Sequence, residues 1–133
     1  MIKLFIGAKG SGKTKTLIEL VNSATVDSKG SVVCIEKGDK LRFDITSKAR
    51  LIDTDFYNVD NAEKLFGFIA GILASNNDIT DIFVDSSLKI CKNDVEAFQA
   101  ILPELDKICT SVNLVMTVSI AAETCPEDIK KFA

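Results

Sequence analysis

The chain contains no histidine, and this absence excludes several kinds of chemistry. Ser/His and Cys/His nucleophilic machinery in the usual form needs an imidazole as its general base. The four cysteines are widely separated, and no pair has the short spacing of zinc ligands. We therefore expect no histidine-dependent hydrolase and no zinc site, and we interpret the cysteines as small apolar core residues in a reducing compartment.

A strong charge of one sign and a long apolar run are also missing. The formal net charge is −3, which gives no global basic field for nucleic acid or acidic membranes. The longest apolar run, near 66–74, is too short to cross a bilayer as a helix. Glycines and lysines follow the apolar start 1–6, so we expect no signal peptide. These features predict a cytoplasmic protein without membrane insertion and without a clear nucleic-acid signal.

The composition that remains is that of an ordinary globular domain. Hydrophobic residues make up 47% and charged residues 26% of 133 residues, which is enough to bury one core. No linker, internal repeat or low-complexity segment divides the chain. We therefore predict a single domain over residues 1–133.

Apolar runs that predict strands alternate with segments of helical periodicity. The predicted helices begin at Lys13, at Asn61 after an Asp60/Glu63 capping box, at Asn93 with Glu96 in the same arrangement, and after Pro126, and Pro103 is expected to kink or restart the third. The strands are predicted at 2–6, 32–35, 50–53, 82–84 and 114–120.

This alternation predicts an α/β fold of three layers. The sheet should be mainly parallel, with about four to five strands and helices on both faces. A tight reversal at 37–39 leads into the alternating segment 41–45, which predicts a hairpin return strand. We therefore expect one antiparallel β-hairpin at an edge of the sheet.

Residues 7–14 satisfy the phosphate-loop pattern G-x-x-x-x-G-K-[ST], the Walker A motif, in full. The predicted strand before it and the amphipathic helix after it are the context that the motif requires. The fold expected is therefore P-loop NTPase-like. The predicted nucleotide-binding residues of the loop are Gly7, Ala8, Lys9, Gly10, Ser11, Gly12, Lys13 and Thr14.

The residue types of the loop suit a magnesium triphosphate. Glycines let the backbone curl around phosphate, and the following helix adds the positive end of its dipole. Lys13 is expected to reach the β- and γ-phosphates as a catalytic group, and the Thr14 hydroxyl to ligate Mg²⁺. The predicted cofactors are therefore ATP and Mg²⁺.

An acidic residue at the end of a neighbouring apolar strand usually completes such a site. Asp85 follows Ile82-Phe83-Val84 and is the predicted second metal residue, with Asp81 as its rival. No glycine follows Asp85 in a D-x-x-G switch, and no guanine-reading N/T-K-x-D motif is present, which favours ATP over GTP.

A strand region and a helix separate the loop from Asp85, an order that resembles the RecA-like and AAA-like branch of P-loop proteins. The resemblance implies that strand 114–120 inserts beside the loop strand. Thr117 or Ser119 would then reach the γ-phosphate as a sensor-like group. The alternative is that these hydroxyls satisfy local backbone groups.

The machinery for fast hydrolysis is sparse. The branch typically has a glutamate after its metal-side aspartate, whereas serines follow Asp85 here. Glu36, at the end of the second strand, is the candidate catalytic base, and Glu123 is another. Arg42 and Arg50 are the only arginines, so an arginine finger within the chain has few candidates. We therefore expect slow hydrolysis by the isolated chain.

Four segments together resemble a family of small Firmicutes ATP-binding proteins often labelled twitching-motility (PilT-like) ATPases. They are the loop 7–14, Val33-Cys34-Ile35-Glu36-Lys37-Gly38, Phe68-Ile69-Ala70-Gly71 and Ile82-Phe83-Val84-Asp85, with Thr117-Val118-Ser119 late in the chain. The resemblance implies ATP binding. The pilus-motor part of the label does not fit, because retraction motors are much longer and use histidine- and acid-rich boxes.

Three functions remain open, and so does whether the chain is an enzyme. The first is a weak or partner-stimulated ATPase that acts as a nucleotide switch with an unknown protein partner or by self-association. The second is a regulatory module that binds nucleotide without hydrolysing it. The third is a small-molecule or nucleoside kinase, although the sequence offers no arginine cluster for a lid over the phosphates.

Overall fold

The computed structural model describes all residues, 1–133, and contains five strands. These are β1 (Ile2–Gly7), β2 (Ser31–Glu36), β3 (Ala49–Asp53), β4 (Ile79–Val84) and β5 (Asn113–Ser119). The helices are α1 (Lys13–Asp27), α2 (Ala62–Ser75), α3 (Ser87–Ile90), α4 (Val95–Ile108) and α5 (Glu127–Lys130), with a short 3₁₀ turn at Ala122–Thr124.

The strands form one sheet in the order β1-β5-β4-β2-β3, and every pair is parallel. β5 lies between the loop strand β1 and β4, as the resemblance to the RecA-like and AAA-like branch implies. Because all strands run the same way, their carboxyl ends meet at one edge of the sheet. The segments that follow β1, β2, β4 and β5 therefore converge there, and this edge is where α/β proteins bind ligands.

Helices cover both faces of the sheet, which confirms the three-layer α/β fold. On one face, Leu17 and Val21 of α1 pack in a cluster with Val32, Cys34 and Phe83. The opposite face carries the larger cluster, to which α2 and α4 contribute. Its fully buried helix residues include Leu65, Ile69, Phe98, Leu102 and Leu105.

The predicted edge hairpin is wrong. Residues 37–48 form turns and not a strand, and β3 returns parallel to β2. The alternation at 41–45 is misleading because Leu41 and Ile45 are buried four residues apart on the α1 side, while Phe43 is 86% exposed. The Asn22 side chain holds the turn by bonding both the Asp44 carbonyl and the Thr46 N–H.

Two helix starts lie one residue later than the capping patterns predict. Asn61, not Asp60, caps α2 by accepting the Lys64 N–H, while Asp60 forms an ion pair with the Lys64 side chain. Asp94 caps α4, because Asn93 adopts a left-handed backbone (φ 60°) outside the helix.

The expected restart at Pro103 is absent, since α4 runs unbroken from Val95 to Ile108. Proline removes one hydrogen bond from a helix. Burial of Leu102 and Leu105 on either side of Pro103 outweighs that loss. The predicted helix start at Pro126 is confirmed, with α5 beginning at the next residue.

The four cysteines are free and buried, in agreement with their interpretation as core residues. Burial raises the pKa of the Cys34 and Cys91 thiols to about 12. No helix in the chain combines the length and the apolar character that crossing a membrane requires.

Candidate functional site

The phosphate-loop segment connects β1 to α1 at the carboxyl edge of the sheet. Gly10 (φ 84°) and Gly12 (φ 87°) adopt left-handed backbone conformations that favour glycine. Gly12 is the residue before α1, and no side chain caps the helix start. The first N–H groups of α1 are therefore free of side-chain acceptors, which is the condition for binding an anion at a helix N-terminus.

Lys13 folds back onto the loop. Its Nζ donates to the Ala8 carbonyl at 2.9 Å and to Ser11 Oγ at 3.2 Å. Burial lowers the pKa of Lys13 from its ordinary value, and the nearby Asp85 carboxylate opposes that shift. Ala8 and Ser11 thus hold the Lys13 side chain against the loop. Lys13 also borders a cavity.

Thr14 and Asp85 meet although they lie 71 residues apart in the sequence. Thr14 Oγ1 donates to the two Asp85 carboxylate oxygens at 3.1 and 3.3 Å. The Asp85 N–H donates to the Ile35 carbonyl at 2.8 Å, so the residue continues the β4–β2 pairing. The predicted metal residues are therefore adjacent.

The oxygen atoms of Thr14 and Asp85 suit Mg²⁺, which prefers hard oxygen ligands and retains waters or phosphate oxygens. No group of three or more His, Cys, Asp or Glu side chains able to hold a metal exists in the chain. Mg²⁺ bound here would therefore take most of its ligands from water and phosphate. That donor set is typical of nucleotide sites.

The rival acid, Asp81, lies elsewhere. It sits inside β4, paired in register with Asn113 at the start of β5. Its carboxylate accepts from the Asn113 amide and the Thr80 hydroxyl. Four residues of extended strand separate it from Asp85, or about 13 Å.

Thr117 supports Asp85 from the neighbouring strand. It is 1% exposed, and its hydroxyl donates to Asp85 Oδ1 at 2.8 Å. Thr117 Oγ1 also accepts the Ser86 N–H at 2.7 Å. Ser87 Oγ donates to the Thr117 carbonyl. Thr117 therefore contacts the metal-side carboxylate and does not line the cavity. The sequence indicated a functional hydroxyl here but not this contact.

Ser119 is the exposed hydroxyl at the end of β5, and it borders the cavity. Of the two sensor-like candidates, Ser119 alone is placed where a ligand could reach it.

Glu36 is the last residue of β2, borders the same cavity, and is only 3% exposed. Its two carboxylate oxygens accept the N–H groups of Lys40 and Leu41, each at 3.0 Å. Burial raises the pKa of Glu36, the two N–H donors oppose that shift, and the Asp85 charge adds to it. Glu123 is exposed in the 3₁₀ turn and does not border the cavity.

A cavity of about 700 Å³ opens among these groups. Only one of its lining residues, Leu41, is hydrophobic, and the acids are Glu36 and Asp85. Its lysines are Lys9, Lys13, Lys15, Lys37, Lys40 and Lys89. The sequence did not indicate this basic lining, because the lysines come from three separate segments of a chain with net negative charge.

The fold and site define an α/β protein with the three-layer, parallel-sheet architecture of P-loop NTPases. Among solved structures, that of C. elegans PCH-2 resembles 99% of the chain, with a TM-score of 0.56 and 17% sequence identity. The chain covers 33% of the PCH-2 chain, about one third of its length. At this identity the similarity shows the fold alone.

No protein-family model and no curated protein matches the sequence. The resemblance to PilT-like ATPases therefore has no support from these comparisons and stays a prediction.

Proposed function

We propose that the chain binds Mg·ATP through residues 7–14, with Thr14 and Asp85 as the metal-side residues. The observation that carries this proposal is the Thr14–Asp85 contact at 3.1 Å, beside a loop with an uncapped helix start. A hydroxyl and a carboxylate on different elements have no local reason to meet in this way. Their position beside Lys13 is what a magnesium triphosphate needs.

The residues of the chain have distinct tasks in this proposal. The loop N–H groups bind phosphate oxygens, and Lys13 exchanges its contacts with Ala8 and Ser11 for the β- and γ-phosphates. Ser119 borders the same cavity, and its hydroxyl would contact the γ-phosphate. Bound Mg²⁺ would offset phosphate charge.

We further propose weak or partner-stimulated ATP hydrolysis, so that the protein acts as a nucleotide switch in the cytoplasm with a protein partner or a second copy. Glu36 is the candidate base because it borders the cavity near Asp85 and its pKa is raised. Both of its oxygens already accept backbone N–H groups, so activation of water by Glu36 would be inefficient. Slow turnover is therefore expected.

The same Glu36 contacts favour the alternative, a regulatory module that binds nucleotide without hydrolysing it. If the carboxylate serves only to hold the turn at 40–41, the cavity contains no free base.

Calorimetric titration with Mg·ATP tests the binding proposal. Wild type should bind saturably, and Lys13→Ala should weaken binding by about tenfold or more, because hydrogen bonds to charged groups are worth about 1.5–3 kcal/mol. Lys29→Ala is the matched control, since Lys29 is exposed and lies outside the cavity. Equal affinities for wild type and Lys13→Ala would contradict the proposal.

Phosphate release from bound ATP, measured on the same proteins, separates the switch from the regulatory module. Turnover that depends on Lys13, alone or with added cell extract, supports the ATPase. Saturable binding without such turnover supports the regulatory module.

A further inference from the structure

The cavity extends well beyond the phosphate loop. The carboxyl ends of the strands follow one another in the order β1, β5, β4, β2. Neighbouring strands lie about 4.8 Å apart, so the end of β2 is roughly 14 Å from the end of β1, where the loop begins. Glu36 and Lys40 border the cavity after β2, and Lys89 borders it from α3, just after β4. We call Lys37, Lys40 and Lys89 the far wall.

Two far-wall lysines have no acidic partner. Lys37 forms an ion pair with Asp55 at 2.7 Å, but Lys40 and Lys89 form none. Outside the cavity, Lys64, Lys92, Lys130 and Lys131 pair with acids, whereas Lys3, Lys29, Lys48 and Lys107 do not. Unpaired cations that share one cavity repel each other, and a bound anion removes that repulsion.

The backbone that carries these lysines is held in place. Glu36 accepts the Lys40 N–H, and the buried side chain of Leu41 anchors the next residue. Lys89 lies between Leu88 and Ile90, which are 3% and 1% exposed. The backbone that positions these lysines is therefore fixed, which lowers part of the entropic cost of binding a ligand there.

We propose that the far wall binds a second ligand, a small molecule with a phosphate monoester, while the nucleotide occupies the loop. The inference rests on the proposed function, because the loop is taken as the site of the triphosphate. A phosphate dianion suits two ammonium groups without local acid partners. The cavity of about 700 Å³, which would hold the nucleotide and this ligand together, lies within the size range of small-molecule sites. Glu36 and Asn93, which also line it, offer hydrogen bonds to hydroxyl groups of the same ligand.

This ligand class gives the kinase alternative a structural basis that the sequence did not. The sequence argued against a kinase because the chain has no arginine cluster for a lid over the phosphates. In the structure, lysines from the turn after β2 and from α3 border the same cavity as the loop.

Calorimetric titration of the full chain tests the proposal with glycerol 3-phosphate and with inorganic phosphate as probes. The loop is first saturated with Mg²⁺ and a non-hydrolysable ATP analogue. Wild type should then bind glycerol 3-phosphate saturably. The double variant Lys40→Ala/Lys89→Ala should bind it at least about tenfold more weakly, because two charged hydrogen-bond donors are lost. Its affinity for the nucleotide analogue should change by less than about threefold, because the loop contacts remain.

The control is Lys29→Ala/Lys107→Ala, which removes two exposed lysines outside the cavity and should bind both ligands like wild type. Tighter binding of glycerol 3-phosphate than of inorganic phosphate supports a phosphate ester, and the reverse order overturns that choice of ligand. If neither probe binds in a manner that depends on Lys40 and Lys89, the proposal is wrong. It is also wrong if the double variant loses nucleotide affinity instead, because the far wall then contacts the nucleotide itself.

Failure of the proposed function would be visible separately. If wild type does not bind the nucleotide analogue, the probes are titrated without it. Binding that depends on Lys40 and Lys89 would then support phosphate-ester binding at the far wall, although the proposed nucleotide binding fails. If no such binding is seen, both proposals are wrong.

Discussion

The phosphate loop and the centre around Asp85 lie at the same edge of the sheet but are held in different ways. The loop is built from eight consecutive residues, and Lys13 contacts partners only two and five residues away. Asp85 contacts Thr14 and Thr117, which are 71 and 32 residues away in the sequence. The loop thus depends on local backbone geometry, and the contacts of Asp85 depend on how β4, β5 and α1 are brought together. Mutations around Asp85 should therefore change the magnesium dependence of nucleotide binding, whereas a change in the loop backbone should change the free energy of unfolding.

The largest effect is expected at Asp85. Asp85→Asn keeps the shape and an oxygen acceptor but removes the charge, so the magnesium-dependent part of ATP affinity should fall by on the order of 100-fold. Without metal, the variant should bind ATP at least as tightly as wild type, because the carboxylate no longer repels phosphate. Titrations with Mg²⁺ and with a chelator measure both effects. A uniform loss under both conditions would show that Asp85 acts only through the fold.

Thr117 should behave as a positioning residue for Asp85. Thr117→Val removes the hydroxyl at nearly constant volume. Asp85 Oδ1 then keeps only the Thr14 hydroxyl as a hydroxyl donor, and the Ser86 N–H loses its acceptor. Groups that orient a metal ligand typically change metal affinity by about tenfold or more. We expect the Mg²⁺ concentration at half-saturation of nucleotide binding to rise accordingly, and Thr117→Ser to restore it. If Ser and Val variants behaved alike, the hydroxyl would have no such role.

Local backbone geometry should decide the effect of a change in the loop. Gly12→Ala places a side chain at φ 87°, which costs about 1–2 kcal/mol in the left-handed region. Gly67→Ala in α2 is the matched control, because Gly67 is exposed and an added Cβ meets nothing within 4 Å. Alanine there should stabilise by about 0.5–1 kcal/mol. Urea unfolding measures both, and a stable Gly12→Ala protein would show that the loop backbone relaxes without cost.

The smallest effect concerns Glu36 and pH. Burial raises the pKa of Glu36 above its ordinary value of 4.5, so the folded state disfavours the charged form. The unfolded chain therefore loses this proton first as pH rises, and stability falls between 4.5 and the raised pKa and then levels off. Wild type should lose stability relative to Glu36→Gln across that window, as followed by urea unfolding at several pH values. A difference that stays constant with pH would mean that the carboxyl is not perturbed.

Contiguous patterns in the sequence were sufficient for much of the fold. The loop 7–14 and the strand–helix alternation could be predicted, because each depends on local spacing. The position of β5 beside β1 was implied only by the resemblance to the RecA-like and AAA-like branch. The hairpin at 37–45 was predicted wrongly. Apolar residues alternate at 41, 43 and 45, but this alternation does not show which of the three is buried. Phe43 points to solvent, while Leu41 and Ile45 pack against the α1 side.

By itself, the sequence determined that the phosphate-loop pattern 7–14 lies between a strand and a helix, since eight adjacent residues carry that pattern. Only the tertiary structure brought Asp85 against Thr14, placed Thr117 against Asp85 and gathered six lysines around one cavity. These relations join segments that are distant in the chain. They follow from which strand ends become neighbours when the sheet forms, and that depends on packing across the whole core.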